Sequence, residues 1–112
     1  MNHPKFEIYK GNNGDFYFRL TARNGQNILS SQGYSSMAGC KNGIESVKNN
    51  GTNSDRFEVK EAANGKFYFN LLAANKQVIG KSQMYATQQT CQCGIEAVQR
   101  VAAEAGVEDT TA

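Results

Sequence analysis

The chain has 112 residues, 39% hydrophobic and 20% charged, with one proline, 11 glycines and no tryptophan. That suits one globular domain, is short for two independent ones, and excludes a collagen, a coiled coil or a charge-dominated disordered chain. No run approaches the roughly 20 apolar residues that cross a bilayer. Met1–Ile8 is polar and mixed in charge, with no apolar leader core, so the expectation is a cytoplasmic protein with no membrane partner. Three cysteines, an odd number, argue against a disulfide framework and for a reducing compartment. The net charge of +2 is uneven: residues 1–51 carry +3, residues 52–103 carry +2, and the end from Glu104 carries −3. This mild basic bias is weaker than a dedicated nucleic-acid binder shows.

Lys5–Lys10 alternates Phe6 and Ile8 against Glu7 and Tyr9, which predicts a strand, and Gly11-Asn12-Asn13-Gly14 supplies the residues of a tight turn. From Asp15 to Arg23, Phe16, Phe18, Leu20 and Ala22 face one way while Tyr17, Arg19, Thr21 and Arg23 face the other. Asn24-Gly25 reads as a two-residue type I′ turn, and Gln26–Ser31 as a third strand. Ser35 or Ser36 caps a helix whose apolar stripe is Met37, Cys40, Ile44 and Val47. Gly43 lies on that stripe. A glycine inside a helix costs about 1 kcal/mol relative to alanine, so its presence there predicts close approach to the sheet or to another helix.

Residues 49–55 read as a linker, after which everything recurs. At an offset of 51 residues, Phe6/Phe57, Asn13/Asn64, Phe16/Phe67, Tyr17/Tyr68, Phe18/Phe69, Tyr34/Tyr85, Cys40/Cys91, Gly43/Gly94 and Ile44/Ile95 are among 20 identities in 42 aligned positions. Chance does not produce this; the gene was duplicated. Repeat 1 covers 5–48 and repeat 2 covers 56–102, the second helix taking Thr87 as cap and Cys91, Ile95, Val98 and Ala102 as its stripe. Residues 104–112 are expected to be flexible. A unit of this size buries too little surface to be comfortable alone. The prediction is therefore one α+β domain of two tandem βββα repeats related by a pseudo-two-fold axis, with an antiparallel sheet packed against two helices. The expected state is a monomer acting as a fused pseudo-dimer.

Chemical motifs are sparse. Cys91-Gln92-Cys93 lacks a fourth metal ligand other than His3 near the terminus, and helical residues two apart point about 200° from each other, so no metal is expected. Cys40 and Cys91 read as small buried hydrophobes, and Cys93, off the stripe, as an exposed free thiol. No nucleophile, base and orienter constellation is legible, the paired carboxylates Glu7/Glu58 and Glu45/Glu96 read as solvated, and the glycine-rich turns lack the lysine of a phosphate loop. Neither catalysis nor a cofactor is expected. The feature that stands out is a polar sheet face carrying Tyr9, Tyr17, Arg19 and Arg23, echoed by Tyr68 in the second repeat. Interleaved aromatic and basic residues are what single-stranded nucleic acid needs. They are also good cross-strand neighbours on a wet sheet. The second repeat has Asn70, Leu72 and Ala74 where the first has Arg19, Thr21 and Arg23, which weakens the nucleic-acid reading.

The spaced pattern Asn64-Gly-Lys-Phe-Tyr-Phe-Asn70, Ala73-Ala-Asn75, Ile79-Gly80, Ser82-Gln-Met-Tyr-Ala-Thr87 and Gly94-Ile-Glu-Ala-Val98, with Phe16-Tyr-Phe-Arg-Leu20 and Gly43-Ile-Glu-Ser-Val47 before it, resembles the YegP-like family of small bacterial proteins over residues 5–102. The resemblance implies two βββα units forming a joint sheet with helices exchanged between them, and a cytoplasmic protein. It brings no catalytic or binding residues, and the three cysteines are not part of its pattern. The functional expectation is a non-enzymatic module that contacts a protein, a peptide or a small ligand through the sheet face or the groove between repeats. Nucleic-acid binding through Tyr17, Arg19 and Arg23 is the alternative.

Overall fold

Alternation of Phe6 and Ile8 with polar residues makes β1 (Lys5–Lys10), and the same pattern makes β2 (Phe16–Thr21), whose Phe18 and Leu20 are as fully buried as Phe6 and Ile8. The computed structural model describes residues 4–22 and 25–111. The elements continue with β3 (Asn27–Ser30), α1 (Met37–Asn50), a 3₁₀ turn at Ser54–Arg56, β4 (Phe57–Glu61), β5 (Phe67–Leu72), β6 (Val78–Lys81), α2 (Gln88–Val101) and β7 (Gly106–Asp109). Each unit is βββα, as the repeat predicts. Ser36 caps α1 by accepting from the Gly39 N–H at 3.0 Å, and Thr87 caps α2 with Thr90 completing a capping box.

One sheet holds all seven strands in the order β4-β5-β6-β3-β2-β1-β7, and every pairing is antiparallel except that of β7 with β1. α1 packs over β2 of its own unit and β5 and β6 of the other, while α2 packs over β5 and β3, so each helix bridges the seam between units. The core is correspondingly single, with Phe6, Phe18, Leu20, Val47, Phe69, Leu71 and Val98 all fully buried in it.

The pseudo-two-fold axis is visible in the contacts. On a rotation axis a residue meets its own copy, and here residues 51 apart touch. Ser30 pairs with Lys81 where β3 joins β6. A Cβ on Gly80 would lie 2.7 Å from Leu29 Cδ2, and one on Gly51, just past α1, would lie 2.9 Å from Ala102 Cβ at the end of α2. Two leucines at 29 and 80 would collide. Duplication lets one copy keep the leucine while the other becomes the glycine that receives it.

The turns differ from expectation. All four hairpin loops have three residues closed by the same bonds: Gly11 N–H to Asp15 O and Gly14 N–H to Gly11 O, with equivalents at 22–26, 62–66 and 73–77. Among the described residues of these loops, only the last loop residue is left-handed: Gly14, Gly25 and Gly65 near +80°, and Lys76 at φ 70°. Asn24 lies outside the described residues. Its counterparts Asn13, Asn64 and Asn75 have no positive φ; each accepts the N–H two residues on through its side chain, which is why the two-residue turn does not form.

The linker carries structure of its own, and the chain end differs from expectation. The span 49–55 is largely ordered, because the Asn50 side chain donates to Ser46 O and accepts from Arg56 Nε, tying the end of α1 to the 3₁₀ turn. The chain end from Glu104 is not simply loose either. Ala105 is buried, and Gly106–Asp109 lies parallel to β1, satisfying the N–H and C=O groups that an edge strand would leave open. The Thr110 backbone N–H and hydroxyl both donate to Ile8 O, at 2.9 and 2.6 Å.

Candidate ligand groove on the open sheet face

With both helices on one side, the other side of the sheet is open. Its residues follow from register: Glu108 opposes Glu7, Glu7 opposes Arg19, Arg19 opposes Ser30, Ser30 opposes Lys81, Lys81 opposes Asn70, and Asn70 opposes Glu58. This single row crosses every strand. It has carboxylates at both ends and two cations near the middle, flanking Ser30 about 10 Å apart at two strand spacings. Each cation lies over a tyrosine, Arg19 Cζ at 4.8 Å from the Tyr9 ring centroid and Lys81 Nζ at 4.7 Å from that of Tyr68. The units reach this from different positions, since Arg19 corresponds to Asn70 and Lys81 corresponds to Ser30.

The first cluster is satisfied within itself. Arg19 Nε donates to Glu7 Oε1 at 2.7 Å, and that hydrogen bond, ahead of the Lys5 charge, holds the Glu7 carboxyl below its usual range. Lys5 Nζ reaches Glu108 at 3.0 Å and Glu7 at 3.5 Å, and its ammonium is held above the usual range chiefly by the bond to Glu108. Tyr9 and Tyr17 stack at 5.6 Å with 17° between planes. Tyr17 also lies against the backbone, because a Cβ on Gly33 would come within 3.1 Å of its ring, and its hydroxyl accepts from Asn13 Nδ2 at 3.1 Å.

Lys81 differs. No carboxylate among the described residues pairs with its ammonium, and it borders a groove of about 370 Å³ running along the seam on the axis. The lining comes in symmetry-related pairs, Asn27 with Val78, Ser30 with Lys81 and Gln32 with Gln83. Ser31 and Ser82, equivalent residues in the same lining, each accept a backbone N–H from β2 or β5 and donate to the following carbonyl, which fixes the walls. A second groove of about 410 Å³ separates α2 from the β2–β3 hairpin and is lined by Ile28, Tyr85, Ala97, Val101, Arg100 and Cys93, among others.

Of the residues singled out from sequence, Tyr9, Tyr17 and Arg19 come together, Tyr68 lies across the seam beneath Lys81, and Arg23 lies outside the described residues. Lys81 was not singled out. Its signal was the replacement of Ser30 at a position the fold places on the axis. Cys40 and Cys91 are buried free thiols pushed upward in pKa by that burial, and Cys93 is exposed and free. Glu45, Glu58 and Glu96 are exposed, whereas Glu7 is half-buried in its ion pairs. No group of three or more His, Cys, Asp or Glu capable of holding a metal occurs among the described residues, and none of their helices is long and apolar enough to cross a membrane. His3 lies outside them.

Two βββα units sharing one sheet across a pseudo-two-fold axis, with helices on one face only, define a duplicated α+β module. The chain belongs to the family described as a domain of unknown function (DUF1508), whose model matches twice, at residues 12–58 and 62–109. It is 47% identical to the UPF0339 protein YegP of Escherichia coli strain K12 over 95% of this chain and 96% of that one. It is 50% identical to the UPF0339 protein in the ptx operon 5′ region of Stutzerimonas stutzeri over 91% and 92% respectively. Among solved structures, YegP from E. coli, a protein of unknown function, superposes with a TM-score of 0.92 at 45% identity over 99% of this chain and 96% of that chain. The UPF0339 protein SO3888 of Shewanella oneidensis superposes at 0.90 with 41% identity over 96% and 92%.

Proposed function

We propose that the protein is a non-enzymatic, cytoplasmic binding module that takes a small polar anion in the seam groove of its open sheet face. One observation carries this reading: Lys81 is a cation with no carboxylate partner among the described residues, at the edge of an axial groove whose other polar side chains are neutral. The volume of about 370 Å³ falls in the range of small-molecule sites. Tyr68 beneath the ammonium fixes it without neutralising it. Nucleic-acid binding has less support, because Arg19 is committed to Glu7 and Tyr17 is stacked and packed rather than offered to a base.

The test is chemical-shift mapping of the ¹⁵N-labelled protein with citrate and, separately, with a thymidine oligonucleotide. Citrate is expected to move Asn27, Ser30, Lys81 and Gln83 together. Shifts with the oligonucleotide centred on Tyr9, Tyr17 and Arg19, and none with citrate, would overturn the proposal in favour of the nucleic-acid reading.

A further inference from the structure

The two units have equivalent edge strands, and only one is covered. β1 is flanked by β7, whereas β4 ends the sheet, with β5 its sole neighbour among the described strands. Ile8 on β1 is fully buried, but Val59, its counterpart on β4, is 39% exposed. An edge with open backbone groups and a bare apolar side chain at its centre is a place where another strand adds.

We infer that β4 pairs antiparallel with β4 of a second copy of this chain, centred on Val59. The strand reads Phe57-Glu58-Val59-Lys60-Glu61 and is complementary to itself in charge about that centre. With Val59 opposite Val59, Glu58 of each copy faces Lys60 of the other, so the ion pair occurs twice and the interface closes on itself as a two-fold contact. Little among the described residues demands these signs. Across β5, Glu58 opposes Asn70 and Lys60 opposes Tyr68, both neutral, and the charged contact the two share is a 3.6 Å pair between side chains 45% and 47% exposed. The opposite end of the sheet is unsuited to the same use: β7 carries Glu108 and Asp109 with no base, so two β7 edges repel. The contact joins whole fused pseudo-dimers edge to edge, extending the sheet and leaving both axial grooves open.

A single short strand pair gives a weak dimer, so the experiment is sedimentation equilibrium of the full chain from about 20 µM to 1 mM, near the weak end of specific association. The expected result is a reversible dimer whose Kd rises about tenfold in E58K and again in K60E, each of which sets like charges face to face. An equimolar mixture of E58K and K60E is expected to form a heterodimer, and E58K/K60E to regain the wild-type Kd. Because the cross-strand neighbours are neutral and the Glu58–Lys60 pair within the strand is exposed and weak, thermal unfolding of every variant should stay close to wild type, which separates lost association from lost fold. A monomer throughout the range, a dimer indifferent to the single reversals, or growth beyond the dimer would each overturn the inference.

Discussion

Leu29 and Gly80 occupy equivalent places on the axis, and the leucine fills what the glycine leaves empty; Leu29 is 1% exposed and packs where a Gly80 Cβ would fall 2.7 Å away. Leu29→Ala removes a buried leucine and should cost about 2–5 kcal/mol. Gly80→Leu overfills the same space and should cost about 1–3 kcal/mol or more. Together, as L29A/G80L, the leucine re-enters from the other strand. The double variant should lose at least about 2 kcal/mol less than the sum of the single losses, a coupling at the upper end for residues in contact. Urea unfolding followed by far-ultraviolet circular dichroism, with the slope checked for constancy across all four proteins, measures this. Simple additivity would refute the claim that the two residues share one axial volume.

Gly43→Ala should destabilise although alanine is the better helix former by about 1 kcal/mol, because its Cβ would meet Tyr34 Cζ at 2.7 Å and Phe18 Cε2 at 3.0 Å; a net loss of about 1–2 kcal/mol by thermal unfolding is expected, partly recovered in Y34F/G43A. Lys76→Gly relieves a left-handed lysine at φ 70° and should raise stability by up to about 1 kcal/mol, whereas Gly25→Ala at the equivalent position should lower it by a similar amount in the same denaturation assay. Glu7 has its folded pKa depressed, first by the Arg19 bond, so its stabilisation is present above the ordinary carboxylate range near pH 4 and is lost as pH falls through the folded value; acid titration of E7Q should lack that part of the loss. Burial raises the thiols of Cys40 and Cys91 and the hydroxyls of Tyr34 and Tyr85, so the stability they contribute is intact below their ordinary ranges and falls as pH rises beyond about 9; alkaline unfolding of C40A/C91A should be correspondingly shallower.

Where side-chain pattern determines structure, the sequence was a sufficient guide. Phe6 and Ile8, Phe18 and Leu20, and the stripe Cys40, Ile44 and Val47 are buried as their spacing implies, and Ser36 and Thr87 cap the helices. Gly43 makes the close approach expected of it, to the Tyr34 ring of its own unit rather than to a helix. β7 escaped because Gly106-Val107-Glu108-Asp109 has no alternation to read; it is held by the backbone of β1, including the bonds from Thr110 to Ile8 O, and by Lys5 through Glu108, partners far away in sequence. A groove between the repeats was expected, but its lysine escaped for a related reason. The repeat shows that residues 30 and 81 are equivalent, but only the β3–β6 pairing shows that they meet, and so turns a serine-to-lysine divergence into one cation placed on the axis.

The binding reading rests most heavily on that lysine. Lys81→Ser restores the symmetric pair with Ser30, removes the ammonium and disturbs no ion pair among the described residues. Calorimetric titration of wild type and K81S with citrate compares them directly. The predicted result is a loss of affinity of about tenfold or more with the unfolding temperature unchanged, as expected for removal of one charge-assisted contact worth about 1.5–3 kcal/mol. Equal affinity in the two proteins would contradict the assignment of the seam groove as the site.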